Sequence, residues 1–373
     1  MTESVYLDNN ATAPTRPEVI RAVERVMASV GNPSSVHGHG QAAKKTLEQA
    51  RIDVAALCGV PAGNVIFASG GTEANNIVLR GTGRRRVLMS AVEHPSVRDA
   101  QPDATIVPVN NSGVIDLDAL EEQLKIGGED TLVSVMAANN ETGVVQPITS
   151  VAALTREYGA LLHCDAVQAA GKIDISADVL GADFLVVSSH KIGGTAGCGA
   201  IINVHDLPLE PLVRGGGQER KIRSGTENLV GIAGFGAAAA VVHEHGPAEM
   251  TRIAAMRDAL ESALASRIDG LLVAGAGAER LANTSCLMLP GVTSETQVMA
   301  LDLAGVSVSA GSACSSGKVA LSPVLGAMGF TDEVAASAIR VSFGWANTES
   351  DIEQFVDAYV TLYERAKERQ SAA

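Results

Sequence analysis

The stretch Phe184-Leu185-Val186-Val187-Ser188-Ser189-His190-Lys191, running through Gly193, Gly194, Gly197 and Gly199 to Ala200-Ile201-Ile202, decides how the rest of the chain is read. Its first four residues are apolar and β-branched enough for a buried strand. Serines, a histidine and a lysine then break the run, and the apolar pattern resumes at Ala200. A lysine at the mouth of a buried strand, hemmed in by hydroxyls and glycines, stands where an α/β enzyme would hold an amine for chemistry. Burial and nearby positive charge depress a lysine pKa, and the neutral amine can form a Schiff base with a carbonyl. Most lysines are solvated loop residues, so the reading depends on what accompanies Lys191.

Composition narrows the class. A chain of 373 residues can bury a large core and divide into two domains. With 42 acidic and 28 basic residues the net charge is −14, and Arg84-Arg85-Arg86 is the longest basic run. That balance argues against direct nucleic-acid binding, which needs concentrated positive charge. The longest apolar stretch, Leu229 to Val242, is shorter than the roughly 18 residues of a membrane span and reads as a core helix. Met1-Thr2-Glu3-Ser4 has no basic or apolar leader character. The five cysteines (Cys58, Cys164, Cys198, Cys286 and Cys314) are scattered, without C-x-x-C spacing. They predict a reducing compartment and no zinc cage. A cytoplasmic protein with no membrane contact is expected.

Along the chain, Pro17 opens a helix with Val19, Ile20, Val23, Val26 and Met27 expected on one face. His37-Gly38-His39 reads as a polar loop, and a helix is expected from Gln41 to Leu57. The strand Val65–Ala68 runs through Ser69-Gly70-Gly71-Thr72-Glu73 into a helix. Glycines there let backbone N–H groups close on an anion at a helix N-terminus. Short strands then alternate with helices, which implies a mainly parallel sheet covered on both faces. Polar residues gather at successive strand exits: Glu93-His94, Asn139-Asn140-Glu141, Asp165 with Gln168, and Ser188-His190-Lys191. Ligands in open α/β sheets bind beyond the carboxyl ends of strands, so these groups are expected to share one pocket. Gly246-Pro247 marks an expected boundary between helices. Beyond it lie strands near 271–273, 284–289, 306–308 and 339–343, helices near 295–303 and 349–368, and a glycine- and serine-rich run around Cys314.

A phosphate cradle, a lysine, a carboxylate and a flat side chain are the four things that pyridoxal phosphate needs. The combination resembles the NifS/IscS-type cysteine desulfurases of the class V aminotransferase family. The resemblance runs nearly end to end, through Tyr6-Leu7-Asp8-Asn9-Asn10-Ala11-Thr12, Ser69 to Glu73, Glu93-His94, Asn139-Asn140-Glu141, His163-Cys164-Asp165-Ala166-Val167-Gln168, Ser188 to Lys191, Arg223-Ser224-Gly225-Thr226, and Gly311-Ser312-Ala313-Cys314. It implies an α/β fold of the pyridoxal-phosphate transferase fold type I. A large domain (15–246) would hold a mainly parallel, seven-stranded mixed sheet covered by helices. A smaller α+β domain (1–14 and 247–373) would carry the catalytic cysteine.

The resemblance also implies roles. Lys191 would hold pyridoxal 5'-phosphate and move the substrate's Cα proton, Asp165 would pair with the ring nitrogen, and His94 would stack on the ring and shuttle protons. Gln168 would bond the phenolic oxygen. Gly71, Thr72, Ser188 and His190 would bind the phosphate, joined by Thr226 from the second subunit of a homodimer. Asn140 and Arg340 would orient the L-cysteine substrate. Cys314 would take its sulfur as a persulfide, leaving alanine, for delivery to a sulfur-acceptor protein: an iron–sulfur scaffold, a transpersulfidase or a tRNA-thiolation system. No resident metal is implied, although Cys314 is a candidate transient cluster ligand. Where many relatives carry a Glu-Pro pair after the cysteine loop and a later arginine, this chain has Ala320-Leu321 and Gly326, which bears on sulfur hand-over. Selenocysteine lyase, another class V activity and a non-catalytic partner of the same fold are the alternatives.

Overall fold

The computed structural model describes residues 4–311 and 321–371, so Cys314 lies outside the described residues. After the short strand β1 (Val5–Tyr6), seven strands build the main sheet: β2 (Val65–Ala68), β3 (Arg86–Ser90), β4 (Thr105–Val107), β5 (Thr131–Ser134), β6 (Leu161–Asp165), β7 (Phe184–Ser188) and β8 (Gly199–Asn203). Their order is β2-β8-β7-β6-β5-β3-β4. The β7, β6, β5, β3 and β4 neighbours pair in parallel. β8 runs antiparallel to both β7 and β2. That double reversal restores the common direction, so the carboxyl ends of β2, β7, β6, β5 and β3 all open on one edge. Every residue of β2, β5, β7 and β8 is buried, as a sheet covered on both faces requires.

Helices α1 (Pro17–Met27), α2 (Gly38–Leu57), α3 (Gly71–Gly81) and the single turn α4 (Pro95–Arg98) follow the early strands. In α1, Val19 and Ala22 are buried and Val23 packs beside them. Ile20 and Met27 face solvent, although the sequence suggested one shared face. Ile20 lies outside the i, i+3, i+4 stripe that starts at Val19, while Met27, at i+8, sits at the edge of that stripe as the last residue of the helix. His37-Gly38-His39 begins α2 instead of forming a loop. The His37 ring caps the helix by accepting from the Gly40 N–H at 3.3 Å.

A second, smaller sheet combines β9 (Leu272–Val273), β10 (Thr284–Met288), β12 (Ser309–Ala310) and β13 (Ala338–Ser342) in the order β12-β13-β10-β9, while β11 (Val306–Ser307) pairs in parallel with β1. Two of the apolar clusters among the described residues are large enough to serve as cores. One surrounds Phe67, Leu88, Val133, Leu162, Leu185 and Phe235. The other surrounds Ile253, Leu260, Leu287, Ile339, Phe355 and Tyr359, and takes in Val5 and Leu7 from the chain start.

The expected break at Gly246-Pro247 is absent. One helix spans Leu229–Ala265 with Pro247 inside it. Proline removes one backbone hydrogen bond there, but Ile232, Phe235 and Val242 anchor the first half in one core. Ile253, Met256 and Leu260 anchor the second half in the other, and the helix continues through the defect.

A Cβ on Gly199 would lie 2.8 Å from the Gly70 backbone and 2.9 Å from the Val187 carbonyl oxygen. β8 can therefore sit between β2 and β7 at the open edge only with glycine at its first position. Gly199→Ala should lower the unfolding free energy by roughly 1–3 kcal/mol, whereas Gly63→Ala, with open space around its Cβ, should be near neutral. Denaturant titration checks this, and equal midpoints for the two variants would contradict the close approach.

Candidate active site

The five strand ends surround one cavity of about 330 Å³. Gly71 and Thr72 enter it where β2 turns into α3, and His94 enters after β3 as the cap of α4. Asn140 follows β5. Asp165 ends β6, with Gln168 three residues on. Ser188, His190 and Lys191 follow from β7. The opposite wall comes from Asn10 and Ala11 near the chain start, Ser309 and Ala310 of β12, and Arg340 of β13. Ten of the twelve residues singled out from the sequence thus meet in one place.

The Lys191 amine donates to the carbonyl oxygens of Asn10 (2.5 Å) and Ala11 (2.9 Å). Burial, reinforced by the Arg340 charge and opposed by Asp8 and Asp165, lowers its pKa from 10.5 to about 8. A proton therefore costs more on this lysine in the fold than in the unfolded chain. The penalty is complete below pH about 8 and is relieved as pH rises towards 10.5. Burial and the Lys191 charge also push His190 down to about 4, so its imidazole is neutral.

Asp165 accepts from the Val167 N–H at 3.0 Å and from Asn75 Nδ2 at 2.8 Å. The His94 ring accepts at Nδ1 from the Ser96 N–H at 3.1 Å, and burial leads the forces lowering its pKa. Gln168 donates to the Asn10 carbonyl at 2.9 Å and accepts from Lys172 at 3.0 Å. Its amide keeps a second hydrogen for a ligand. Arg340 donates to Asp8 Oδ1 at 2.7 Å and to the Asn140 carbonyl at 3.0 Å, while its buried Nε has no partner. Asp8 and the Asn140 carbonyl thus each take one hydrogen from a terminal nitrogen, and three of the five guanidinium hydrogens are left over for an incoming carboxylate.

Other expectations fall elsewhere. Thr226 is exposed and outside the cavity wall. Glu93 lies behind the wall, accepting from the Met136 N–H at 2.7 Å, and Asn139 folds its own turn by accepting from the Glu141 and Thr142 N–H groups. Glu141 is buried and accepts from Ser322 Oγ at 2.5 Å. Cys58, Cys164, Cys198 and Cys286 are all buried. Desolvation raises every one of these thiols, to about 12 for Cys58, Cys198 and Cys286, so they pack and do not react. His243 and His245 are exposed. The sequence reading missed Asn10, Asn75, Ser96 and Ser309 as wall and support residues. Asn75 alone left a signal, a polar residue on the apolar side of α3 between Ala74 and Ile77.

The model of the class-V aminotransferases matches residues 5–355. The chain belongs to the class-V aminotransferase family. Within it, the chain is similar to a cysteine desulfurase of Cereibacter sphaeroides, 38% identical over 98% of this chain and 97% of the relative. It is 35% identical to cysteine desulfurase IscS of Dictyoglomus turgidum, over 98% of this chain and 96% of that one. The solved NifS-like protein of Rickettsia africae superposes with a TM-score of 0.91 at 35% identity, covering 97% of this chain and all of the other. The expected seven-stranded α/β architecture and the NifS/IscS resemblance are therefore both borne out.

The family implies pyridoxal phosphate, and the donor set here fits it. The α3 N-terminus has no side-chain cap, so its amides are available to an anion beside the Thr72 and Ser188 hydroxyls. A Cβ on Gly71 would come within 2.9 Å of Val167 Cγ2, so the backbone here is already packed as closely as glycine allows. A carboxylate and an amine of lowered pKa face the same space. Lys191 in the apo protein should form a borohydride-trappable adduct with pyridoxal phosphate, with a rate that rises through a pH midpoint near about 8. Lys191→Ala should lose it. A midpoint near 10.5, or transfer of the adduct to Lys172, whose amine burial also lowers, to about 7, would overturn the assignment.

Proposed function

We propose that this protein is a pyridoxal-phosphate-dependent cysteine desulfurase that converts L-cysteine to L-alanine and receives the sulfur on Cys314. The observation that carries the reading is one cavity in which Lys191, Asp165, His94 and Gln168 face Arg340. Bound there, the cofactor would supply an electron sink for bonds at the substrate's Cα.

The protein's own residues divide the remaining work. Gly71, Thr72, Ser188 and His190 hold the phosphate, the Asp165 carboxylate keeps the ring nitrogen protonated, and Gln168 offers its free amide hydrogen to the phenolic oxygen. Arg340 and Asn140 orient the substrate carboxylate. Lys191 Nζ, whose charge burial disfavours, takes the Cα proton, and His94 carries protons at Nε2. The Cys314 thiolate then attacks the substrate's Sγ. An S–S bond forms as the Cβ–Sγ bond breaks, and the bonding pair stays with the carbon fragment, which gains a proton and leaves as alanine. Atoms and electrons balance without an outside oxidant.

Cys314 follows the cavity-lining Ala310 by four residues, an extended span of at most about 14 Å. Each of the other four cysteines is buried, which supports Cys314 as the acceptor thiol. Thr226, exposed and off the wall of its own cavity, fits a role at the phosphate site of a second subunit. The two cores support a large domain over 15–246 and a small one from 1–14 and 247–373. We place the enzyme in the cytoplasm, passing sulfur to an iron–sulfur scaffold or another acceptor protein. Among the described residues no helix is long and apolar enough to cross a membrane.

Cys314→Ser should still exchange the substrate's Cα proton with solvent, yet release almost no alanine or sulfide. Cys164→Ser and Cys198→Ser should keep most turnover. A Cys314→Ser enzyme that makes alanine at the wild-type rate would sink the nucleophile assignment. For the shared site, mixing Lys191→Ala with Thr226→Ala subunits should restore activity, because one of the two sites in each heterodimer is intact. A monomer with full activity rules the sharing out.

A further inference from the structure

A buried series of polar side chains runs behind Asp165 and His94, and the proposed reaction makes no use of it. Asn75 of α3, 1% exposed, donates from Nδ2 to Asp165 Oδ2 at 2.8 Å and to Ser96 Oγ at 2.9 Å. Its Oδ1 lies 3.1 Å from His163 Nε2. His163 Nδ1 lies 2.9 Å from Ser134 Oγ, and Ser96 Oγ lies 2.8 Å from His94 Nδ1. His163 and Ser134 are fully buried.

The direction of each proton follows by elimination. An ionised carboxylate only accepts, so the Asn75 atom facing Asp165 is its NH2 group and the atom facing His163 is its carbonyl. That carbonyl also only accepts, so His163 carries its proton on Nε2. Burial holds His163 neutral, with its pKa pushed down to about 4 despite the Asp165 charge. Its Nδ1 is therefore a bare acceptor, and the Ser134 hydroxyl donates to it. At the other end the Ser96 N–H already donates to His94 Nδ1. Asn75 fills an acceptor site on Ser96 Oγ, whose own proton is then directed to His94 Nδ1. His94 keeps its proton on Nε2. Each donor in the series hands its hydrogen bond on towards Asp165 or His94, an arrangement in which neighbouring bonds polarise one another.

We propose that Asn75 is a positioning residue: oriented by Ser134 and His163, its carboxamide fixes Asp165 Oδ2 and directs the Ser96 hydroxyl proton to His94 Nδ1, adding to the Ser96 backbone N–H already there. A flipped amide would set oxygen against a buried carboxylate and leave the Asn75 NH2 facing the His163 N–H, two unsatisfied contacts at once. What Asp165 and His94 then do rests on the cofactor reading above. The proton arrangement itself does not.

Long-range proton–nitrogen spectra of apo protein labelled with 15N-histidine read the tautomers directly. In the wild type His163 should be neutral with its proton on Nε2. In Asn75→Leu, where only Ser134 Oγ remains as a partner, a population with the proton on Nδ1 should appear. In the loaded protein, Asn75→Leu and His163→Leu should shift the pH midpoint of the bound cofactor's visible absorbance by roughly one unit. His163→Gln can still donate from its Nε2 and should stay near the wild type. A wild-type His163 protonated on Nδ1, a tautomer unchanged in Asn75→Leu, or one shared midpoint for wild type and all variants overturns the inference. Should Asn75→Leu fail to fold, the His163→Leu and His163→Gln pair carries the same comparison. A wild-type protein that takes up no pyridoxal phosphate overturns the cofactor reading and the positioning role built on it. The apo His163 tautomer is read independently, so the two failures are told apart.

Discussion

Keeping a lysine amine partly out of water at the open end of a parallel sheet is the constraint on which the rest of this structure depends. Removing an ammonium from water disfavours its charge, and here burial is the largest force on Lys191. Its environment has to satisfy the amine without restoring the charge. Two backbone carbonyls, those of Asn10 and Ala11, do so. Neutral acceptors hold the amine in place, where a carboxylate in direct contact would have pinned it as ammonium.

That choice explains why the chain start crosses the cavity. Asn10 accepts at its carbonyl from Lys191 and Gln168. Its side chain accepts from Lys172 and Asn283, and donates to Thr284 and to the Asn140 carbonyl. The main sheet, the loop after β5 and β10 of the small sheet therefore share one buried asparagine. Leu7, three residues earlier, is packed in the second core, so burial of the chain start in one core sets the lysine's position in the other. Asp8 and Arg340 complete the junction, with Ser309 donating to the same carboxylate at 2.7 Å.

A second buried charge organises the approach to the N-terminus of α3. Arg51 of α2 pairs with both oxygens of Glu219, at 2.7 and 2.9 Å, and Glu219 also accepts from the Phe67 N–H of β2. Such a pair adds little net stability, but leaving either partner alone would be costly. Its effect is positional. It holds Glu219, Arg220 and Lys221 in left-handed backbone conformations, with φ of 38°, 60° and 66°. From there the chain leads to Arg223, which bonds Glu73 at 3.0 Å in the first turn of α3, and to the exposed Thr226.

The sequence by itself determined the alternation of strands and helices, the parallel character of the sheet and the residues gathered at strand exits. These are local matters: apolar runs, glycine turns and polar residues at fixed places along one segment. It even brought out Lys191, because a lysine beside an apolar run is visible without knowing its neighbours. Tertiary structure decided the rest. The reversal of β8, which aligns the β2 and β7 exits, depends on the Gly199–Gly70 approach across more than a hundred residues. Pro247 reads as a stop in sequence, yet two cores gripping either side carry the helix past it. Among the polar residues at strand exits, only packing separates His94 and Asn140 on the wall from Glu93 and Asn139 behind it. Asn10 and Asn75 were hardest to see, because an asparagine's role is set by which donors and acceptors surround it, and those partners come from distant segments.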